Sequence, residues 1–388
     1  MISFSHKEDC CGCLACKQIC PKQCIKIYCD NQGFKYPIVD ASKCIDCHLC
    51  EKSCPVLNHN LPKEEPLNSY LSYSKNEEIR ESSSSGGIFS ELAKLIISKG
   101  GVVFGAVYDD NWLVTYSEAS SLEELHKFRG SKYVQSDINN SYVKVKRYLT
   151  EGRYVLFAGT PCFVAGLNLF LKKQYENLLT VDFVCHSIPS PKVWLLYLDC
   201  LKERNKSEIQ KLTFRDKSNG WSNYSLAIEF VNKKGDTYNF VESHFDNLFM
   251  KGFADDLYTR PSCSKCPARN FTSGSDITLA DAWDVNKYHP EKNDEMGLSH
   301  VMINTKKGQV YFDLIENAFS QQIDYLEIEP YSMHLPLTAS CQPSKIRYFF
   351  YLALNSGLDI IKIIKMALIV DYILKKILGI KNRLLKNG

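Results

Sequence analysis

Apolar positions change period several times along the chain, and the changes mark out its elements. In residues 86–99 (GGIFSELAKLIISK), Ile88, Leu92, Leu95 and Ile96 fall on one face of a 3.6-residue repeat, which predicts an amphipathic helix. GVVFGAVY (101–108) and WLVTYSEA (112–119) then read as strands. SLEELHKF (121–128) reads as a short helix, with Ser at its start and Glu three residues on as a capping box. YVKVKRYL (142–149) is another helix. RYVLFAG (153–159), residues 162–173, LLTVDFVC (178–185) and PKVWLLYLDCLKER (191–204) alternate strand and helix, a βαβ-like stretch with Pro161 placed for a helix's first turn. Residues 209–215 and 224–231 read as strands, KKGD (233–236) as a hairpin turn and TYNFVE (237–242) as the return. These elements predict a mixed body of α+β or α/β class.

Both ends depart from this pattern. Residues 1–57 form a small cysteine-rich module, and residues 58–69 (NHNLPKEEPLNS) are polar, proline-containing and read as a linker. The body runs from 70 to 340, and 341–388 is a tail. Within it, residues 358–386 mix apolar runs with Lys at helical spacing. Such a basic amphipathic helix can lie on an anionic membrane surface, or pack on the body or a dimer partner. Its uncharged runs are too short to span a bilayer. The length of 388 residues suits two or three domains, and 45% apolar with 23% charged residues excludes a disordered or fibrous chain. The net charge of +3 is unevenly spread, because residues 345–388 carry nine Lys/Arg and two Asp, leaving −4 on the rest. A body at −4 makes a poor nucleic-acid surface, so no nucleic-acid partner is expected.

Cysteine changes the picture most. There are 17, of which 11 lie within residues 10–54. The opening MISFSHKED lacks the apolar core of a signal peptide, so a cytoplasmic location is expected, where dense cysteine reads as metal binding. Cys10-x2-Cys13-x2-Cys16-x3-Cys20-Pro21 recurs as Cys44-x2-Cys47-x2-Cys50-x3-Cys54-Pro55. This is the two-cluster ferredoxin spacing, in which the fourth cysteine of each run ligates the other cluster. Cys10, Cys13, Cys16 and Cys54 are therefore assigned to one 4Fe-4S cluster, and Cys44, Cys47, Cys50 and Cys20 to a second. Structural zinc uses paired C-x2-C spacing and does not call for this repeat. Cys11, Cys24 and Cys29 are surplus; Cys11, beside Cys10, is a competing ligand, and the plainer reading of all three is small thiols without a metal.

Cys263-x2-Cys266 is half a site. Cys162 and Cys185 stand at the ends of two strands of the βαβ stretch, where ligands gather in such sheets. Four thiolates suffice for a third 4Fe-4S cluster; the alternative is two buried fillers and a pair that takes zinc or nothing. SSSSGG (82–87) before a helix, Gly159-Thr160-Pro161 at a strand-to-helix turn, and RGSKYVQ (129–135) with Arg129 and Lys132 are candidate phosphate-binding loops, though Ser/Gly runs also serve as plain linkers and caps. No G-x-G-x-x-G fingerprint follows a strand, so no Rossmann dinucleotide site is expected. His186 and His244 are candidate proton donors, and no Ser-His-Asp arrangement argues for hydrolysis.

In order, SGGIFS (85–90), FRGSKYVQS (128–136), VLFAGTPC (155–162), VDFVCH (181–186), RPSCSKCP (260–267) and SDITLADAW (275–283) resemble the coenzyme F420 hydrogenase/dehydrogenase beta-subunit family. The resemblance covers about Tyr70 to Ile303, and a ferredoxin module is a common companion. It implies a flavoprotein that binds FAD beside an iron–sulfur cluster. The cluster would be held by Cys162, Cys185, Cys263 and Cys266. FAD would lie against Ser85, Gly86 and Gly87, Arg129, Gly130, Ser131, Lys132 and Tyr133, and Gly159, Thr160 and Pro161. Electrons would enter from a ferredoxin or partner subunit and leave to an organic acceptor, a deazaflavin coenzyme or a polysaccharide-pathway substrate. The alternative is a non-catalytic electron-transfer subunit. Phe163, Ser187 and Asp284 replace the family's usual Gln, Gly and Gly, which puts deazaflavin use in doubt.

Overall fold

The computed structural model describes residues 1–58, 65–325, 327–328, 330–332, 335–336 and 340–386. Half of the stretch read as a linker (59–64) and the last two residues of the tail lie outside the described residues.

In the N-terminal module, strands β1 (Ile25–Cys29) and β2 (Lys35–Val39) pair as an antiparallel hairpin. The duplicated cysteine runs adopt matching backbones. Gly12 and Asp46 both take positive φ (78° and 49°), as do Leu14 and His48 (55° and 56°), and each run leads into a short helix, Ala15–Ile19 or Leu49–Lys52. The repeat in sequence is thus a repeat in conformation.

The body contains β3 (Asn68–Ser74), β4 (Val102–Tyr108), β5 (Val114–Ala119), β6 (Val155–Gly159), β7 (Leu178–Phe183), β8 (Glu208–Asp216), β9 (Ser225–Val231), β10 (Thr237–Ser243), β11 (Ile277–Asp281), β12 (Ser299–Ile303) and β13 (Ala318–Ile323). Eight form one mixed sheet in the order β13-β3-β12-β11-β7-β6-β4-β5, parallel from β11 through β4 and antiparallel outside. Its centre is buried on both sides, so Val155, Leu156 and Phe157 form a continuous apolar run rather than an alternation. Val102, Phe104, Val155 and Phe157 face the helices Ser141–Thr150 and Pro161–Leu171, while Val103, Val107 and Leu156 face the helix Ile88–Ser98. A second antiparallel sheet, β10-β9-β8, packs in another core with the helix Pro191–Asn205 and the tail.

The structure adjusts the sequence expectations in three places. β3 begins at Asn68, inside the stretch read as a linker. Residues 121–128 form a six-residue 3₁₀ segment, Glu123–Phe128, rather than an α-helix. In place of the expected box between Ser121 and Glu124, Glu124 accepts from the Ser120 N–H (3.1 Å). The tighter winding suits a short connector that sets Phe128 over Gly105. The tail is two helices, Arg347–Leu354 and Ile360–Lys386. Ile360, Ile363, Ile364 and Ala367 are buried on the body, and Lys375 bridges Asp255 and Asp371 (both 2.7 Å). No helix among the described residues is long and apolar enough to cross a membrane.

Candidate metal and cofactor centre

Each quartet expected from the duplicated spacing lines one cavity. Cys10, Cys13, Cys16 and Cys54 line the first, together with Cys11, Phe4 and Pro37. Cys20, Cys44, Cys47 and Cys50 line the second, together with Cys24 and Met1. The left-handed residues inside each run turn its thiols toward a common space. Among the described residues, no three His, Cys, Asp or Glu side chains converge closely enough to hold a single ion. Thiols ringing a cavity suit a cubane, whose corner irons keep their ligands apart, better than one tetrahedral zinc. The first quartet is buried, whereas in the second Cys47 is exposed and the others are half-buried. Burial pushes the Cys54 thiol up to about 12, so a metal must displace its proton to make it a ligand.

The body thiols gather at the carboxyl edge of the parallel strands. Cys162 opens the helix Pro161–Leu171 after β6, and Cys185 lies two residues beyond β7. Gly159 and Asp182 stand opposite each other in register, so both strands end at one edge. Cys263 belongs to the 3₁₀ turn Pro261–Lys265, which Cys266 follows. Burial raises Cys185 to about 12, and Cys266 is among the groups acting on it; Cys263 senses both Cys185 and Cys266.

Two further thiols join this set. Cys11, Cys13 and Cys162 pack together in one buried cluster, which links the first N-terminal cavity to the body. Cys341 is buried beside Cys185, Cys263 and Cys266. The adjacency of Cys11 to Cys10 was a signal in the sequence; nothing in the isolated TASCQPSK stretch marks Cys341. Of the other surplus thiols, Cys24 lines the second cavity and Cys29 is exposed.

Two of the candidate phosphate loops, 82–87 and 129–135, meet each other. The Arg129 guanidinium donates to Ser82 Oγ (3.2 Å), and the Ser131 N–H and hydroxyl donate to Ser84 Oγ (2.6 and 2.9 Å). Arg215, on β8, ties this contact to the rest of the body. It donates to the Ser84 carbonyl (2.9 Å), to Tyr133 Oη (3.2 Å), and to both oxygens of Asp281 (3.0 and 3.2 Å). Its guanidinium also lies 4.1 Å from the Tyr224 ring centre and 4.9 Å from that of Trp283. The Lys132 ammonium donates to the carbonyls of Phe128, Arg129 and Gly130 (3.3, 3.2 and 3.1 Å), and its burial pulls it down to about 7. Lys217 stands close by, donating to the Arg80 and Met296 carbonyls (both 2.6 Å). Sequence reasoning missed Arg215 and Lys217, since a single cation in a strand or just after it carries no spacing signal.

Packing explains several of the glycines in these loops. A Cβ at Gly86 would lie 2.4 Å from the Ser72 carbonyl oxygen, and one at Gly159 would lie 2.3 Å from Tyr116 Oη. Gly87 and Gly130 take positive φ (84° and 81°), and only Gly130 opens onto free space. Ser85 donates to the Leu298 carbonyl (2.8 Å), Thr160 Oγ1 lies 3.3 Å from Cys162 Sγ, and Pro161 is the first residue of its helix. The fit to an anionic cofactor rests instead on the cations: Arg129 and Arg215 each keep a buried Nε–H with no partner. A diphosphate is a ligand those donors can satisfy. Of the candidate proton donors, His186 is buried against Asp256 (2.9 Å), and His244 stacks on Tyr224 with ring centres 4.1 Å apart.

Comparison with known proteins gives three profile matches. Coenzyme F420 hydrogenase/dehydrogenase, beta subunit N-term, matches residues 69–141, and the C-terminus profile of the same subunit matches residues 152–331. A 4Fe-4S binding domain profile matches residues 37–57, the second cysteine run. No curated protein matches the chain. Among solved structures, a chain of the F420-reducing NiFe hydrogenase complex from Methanosarcina barkeri, studied by xenon derivatization, is similar at 17% identity and a TM-score of 0.44. The match covers 68% of this chain and 87% of that one.

Proposed function

The chain belongs to the coenzyme F420 hydrogenase/dehydrogenase beta-subunit family, and from that premise we propose that it is an iron–sulfur flavoprotein oxidoreductase with three 4Fe-4S clusters and one FAD. When bound, the cubanes supply one-electron carriage, and the flavin supplies the junction between single electrons and the pair an organic acceptor needs. The ligands on this reading are Cys10, Cys13, Cys16 and Cys54; Cys20, Cys44, Cys47 and Cys50; and Cys162, Cys185, Cys263 and Cys266. Arg129, Lys132 and Arg215 would hold the diphosphate of FAD at the turn formed by Ser82–Gly87.

The observation that carries the proposal is the unbroken line of thiols. It starts at exposed Cys47, passes the buried first quartet, and reaches the body where Cys11 and Cys13 pack with Cys162. An exposed end suits a diffusing donor, such as a ferredoxin or a partner subunit, and a buried end suits delivery within the chain. The exposed side chains Met366, Ile369, Tyr372, Ile373 and Ile377 give the tail an apolar face for an anionic membrane surface.

Anaerobic purification with iron, sulfide and flavin quantitation tests the proposal. The expected result is about twelve iron per chain, four for each cubane, with one FAD. A colourless protein carrying zinc and no flavin refutes it. Turnover of an organic acceptor by the isolated chain distinguishes an enzyme from an electron-transfer subunit.

A further inference from the structure

Arg260 is the most completely buried arginine among the described residues, at 0% exposure, and no carboxylate pairs with it there. Its backbone belongs to the body: its N–H donates to the Ile188 carbonyl (2.8 Å), and its carbonyl accepts from the Cys263 N–H (3.0 Å). Its side chain leaves the body and enters the N-terminal module. There Nε donates to the Cys10 carbonyl (2.9 Å), and Nη2 donates to the Lys35 carbonyl (3.0 Å) and to Cys10 Sγ (3.7 Å). Nη1 donates to Gln135 Oε1 (2.9 Å). The guanidinium carbon lies 4.5 Å from the Tyr36 ring centre and 5.5 Å from that of Phe34.

A buried cation surrounded only by neutral acceptors and rings lacks the counter-charge that offsets its desolvation. The first cysteine quartet supplies that charge once loaded, because a cubane with four thiolate ligands is an anion and gains a further negative charge on reduction. The module is shaped to admit the guanidinium. A Cβ at Gly12 would lie 2.9 Å from the Arg260 guanidinium carbon, whereas Asp46, the matching residue of the second run, is exposed and pairs with the N-terminal ammonium (3.0 Å). The two quartets therefore share a backbone and differ in their electrostatic surroundings.

Resting on the cluster reading above, we propose that Arg260 is a positioning and tuning residue. It raises the reduction potential of the cluster held by Cys10, Cys13, Cys16 and Cys54 above that of the outer cluster. The cause is a hydrogen bond to a ligand sulfur together with an uncancelled buried positive charge, both of which favour the reduced cluster. Electrons arriving at the exposed cluster then run downhill to the inner one, beside Cys11 and Cys162. The same residue couples this setting to docking, since its backbone is part of the turn that carries Cys263.

The test is an anaerobic redox titration of the full chain, followed by the EPR signals of the reduced clusters. The inner cluster is identified by the signal lost in Cys16→Ala. In Arg260→Gln the inner midpoint is expected to move to a more negative potential while the other midpoints hold. Arg260→Lys, which keeps the charge but loses the fork, should move it less. Gln135→Glu places a carboxylate against the guanidinium without removing it. It is expected to shift the inner midpoint the same way, and it decides the matter if Arg260→Gln does not fold. Unchanged midpoints in fully loaded variants overturn the proposal, as does a loss of iron at an unmoved potential, which is the mark of a purely structural role. A wild-type chain that carries no N-terminal clusters refutes the underlying cluster reading instead, and iron content reports that before any titration.

Discussion

Replacing Arg215 with Met breaks the ion pair at the centre of the candidate cofactor cradle. The Arg215 side chain is 2% exposed and that of Asp281 is 17% exposed, so little solvent screens the pair. In Arg215→Met, Asp281 keeps Trp221 Nε1–H (3.1 Å) as a donor and loses two charge-assisted bonds. Removing one partner of a buried pair costs about 3–5 kcal/mol, a roughly 100- to 5,000-fold change in a folding equilibrium. Asp281→Asn should cost less, about 1–3 kcal/mol, because Arg215 retains the Ser84 carbonyl, Tyr133 Oη and two aromatic rings. The double variant should then be more stable than the sum of the two losses implies, with a coupling of about 2 kcal/mol. Urea unfolding followed by tryptophan fluorescence is the assay, since Trp221 and Trp283 stack 4.7 Å apart against this pair and report on it directly. The flavin retained by each variant is measured in parallel. An Arg215→Met protein with the wild-type midpoint, or strictly additive losses, would refute the reasoning.

Other outcomes follow from single environments. Burial pushes Asp182 up to about 6, so the folded state holds its proton more tightly than the unfolded state, and stability should fall by about 3 kcal/mol as pH rises from about 4 to about 6. Asp182→Asn should flatten that slope, as read from urea midpoints across the range. Cys263→Ser should lose the body cluster while dithionite still reduces the flavin and ferredoxin-driven turnover stops; equal turnover in mutant and wild type would defeat that route. Ile364→Ala should cost about 2–5 kcal/mol because this residue is buried, while Ile373→Ser on the exposed face should change unfolding by under about 0.5 kcal/mol. Vesicles of anionic lipid should retain the wild type better than an Ile373→Ser/Ile377→Ser variant; equal co-sedimentation leaves packing on the body as the helix's role.

The sequence was most informative where one physical rule acted alone. Period and turn chemistry marked the helix Ile88–Ser98 and strands β4 to β7 nearly to their ends, because the helix packs one regular face on the sheet and the central strands are apolar runs buried on both faces. The cysteine repeat stands out because its spacing is local, and the two runs fold alike. Residues whose roles depend on long-range closure were not legible. Arg215 reaches Ser84, and Arg260 reaches Cys10, across large sequence separations. Glu123–Phe128 shows the converse error: Ser121 and Glu124 suggest a capped helix, yet Glu124 accepts from the Ser120 N–H and the segment winds as a tighter turn.

The duplicated module places identical local chemistry in unequal surroundings. Spacing makes the two quartets equivalent, and the matching left-handed residues show that the chain folds them alike. Only the surroundings break the symmetry. One run lies under Arg260, Gln135 and the helix Pro161–Leu171, where a Cβ on Gly166 would come within 3.0 Å of Cys13 Sγ. The other meets solvent at Cys47 and Ile45. A ligand sulfur that is buried and given an N–H donor favours a different oxidation state from one that is open to water. On the proposed cluster assignment, direction along the chain's thiols would come from docking the module on one face, and any substitution that loosens that face should blur the difference between the two clusters before it removes either.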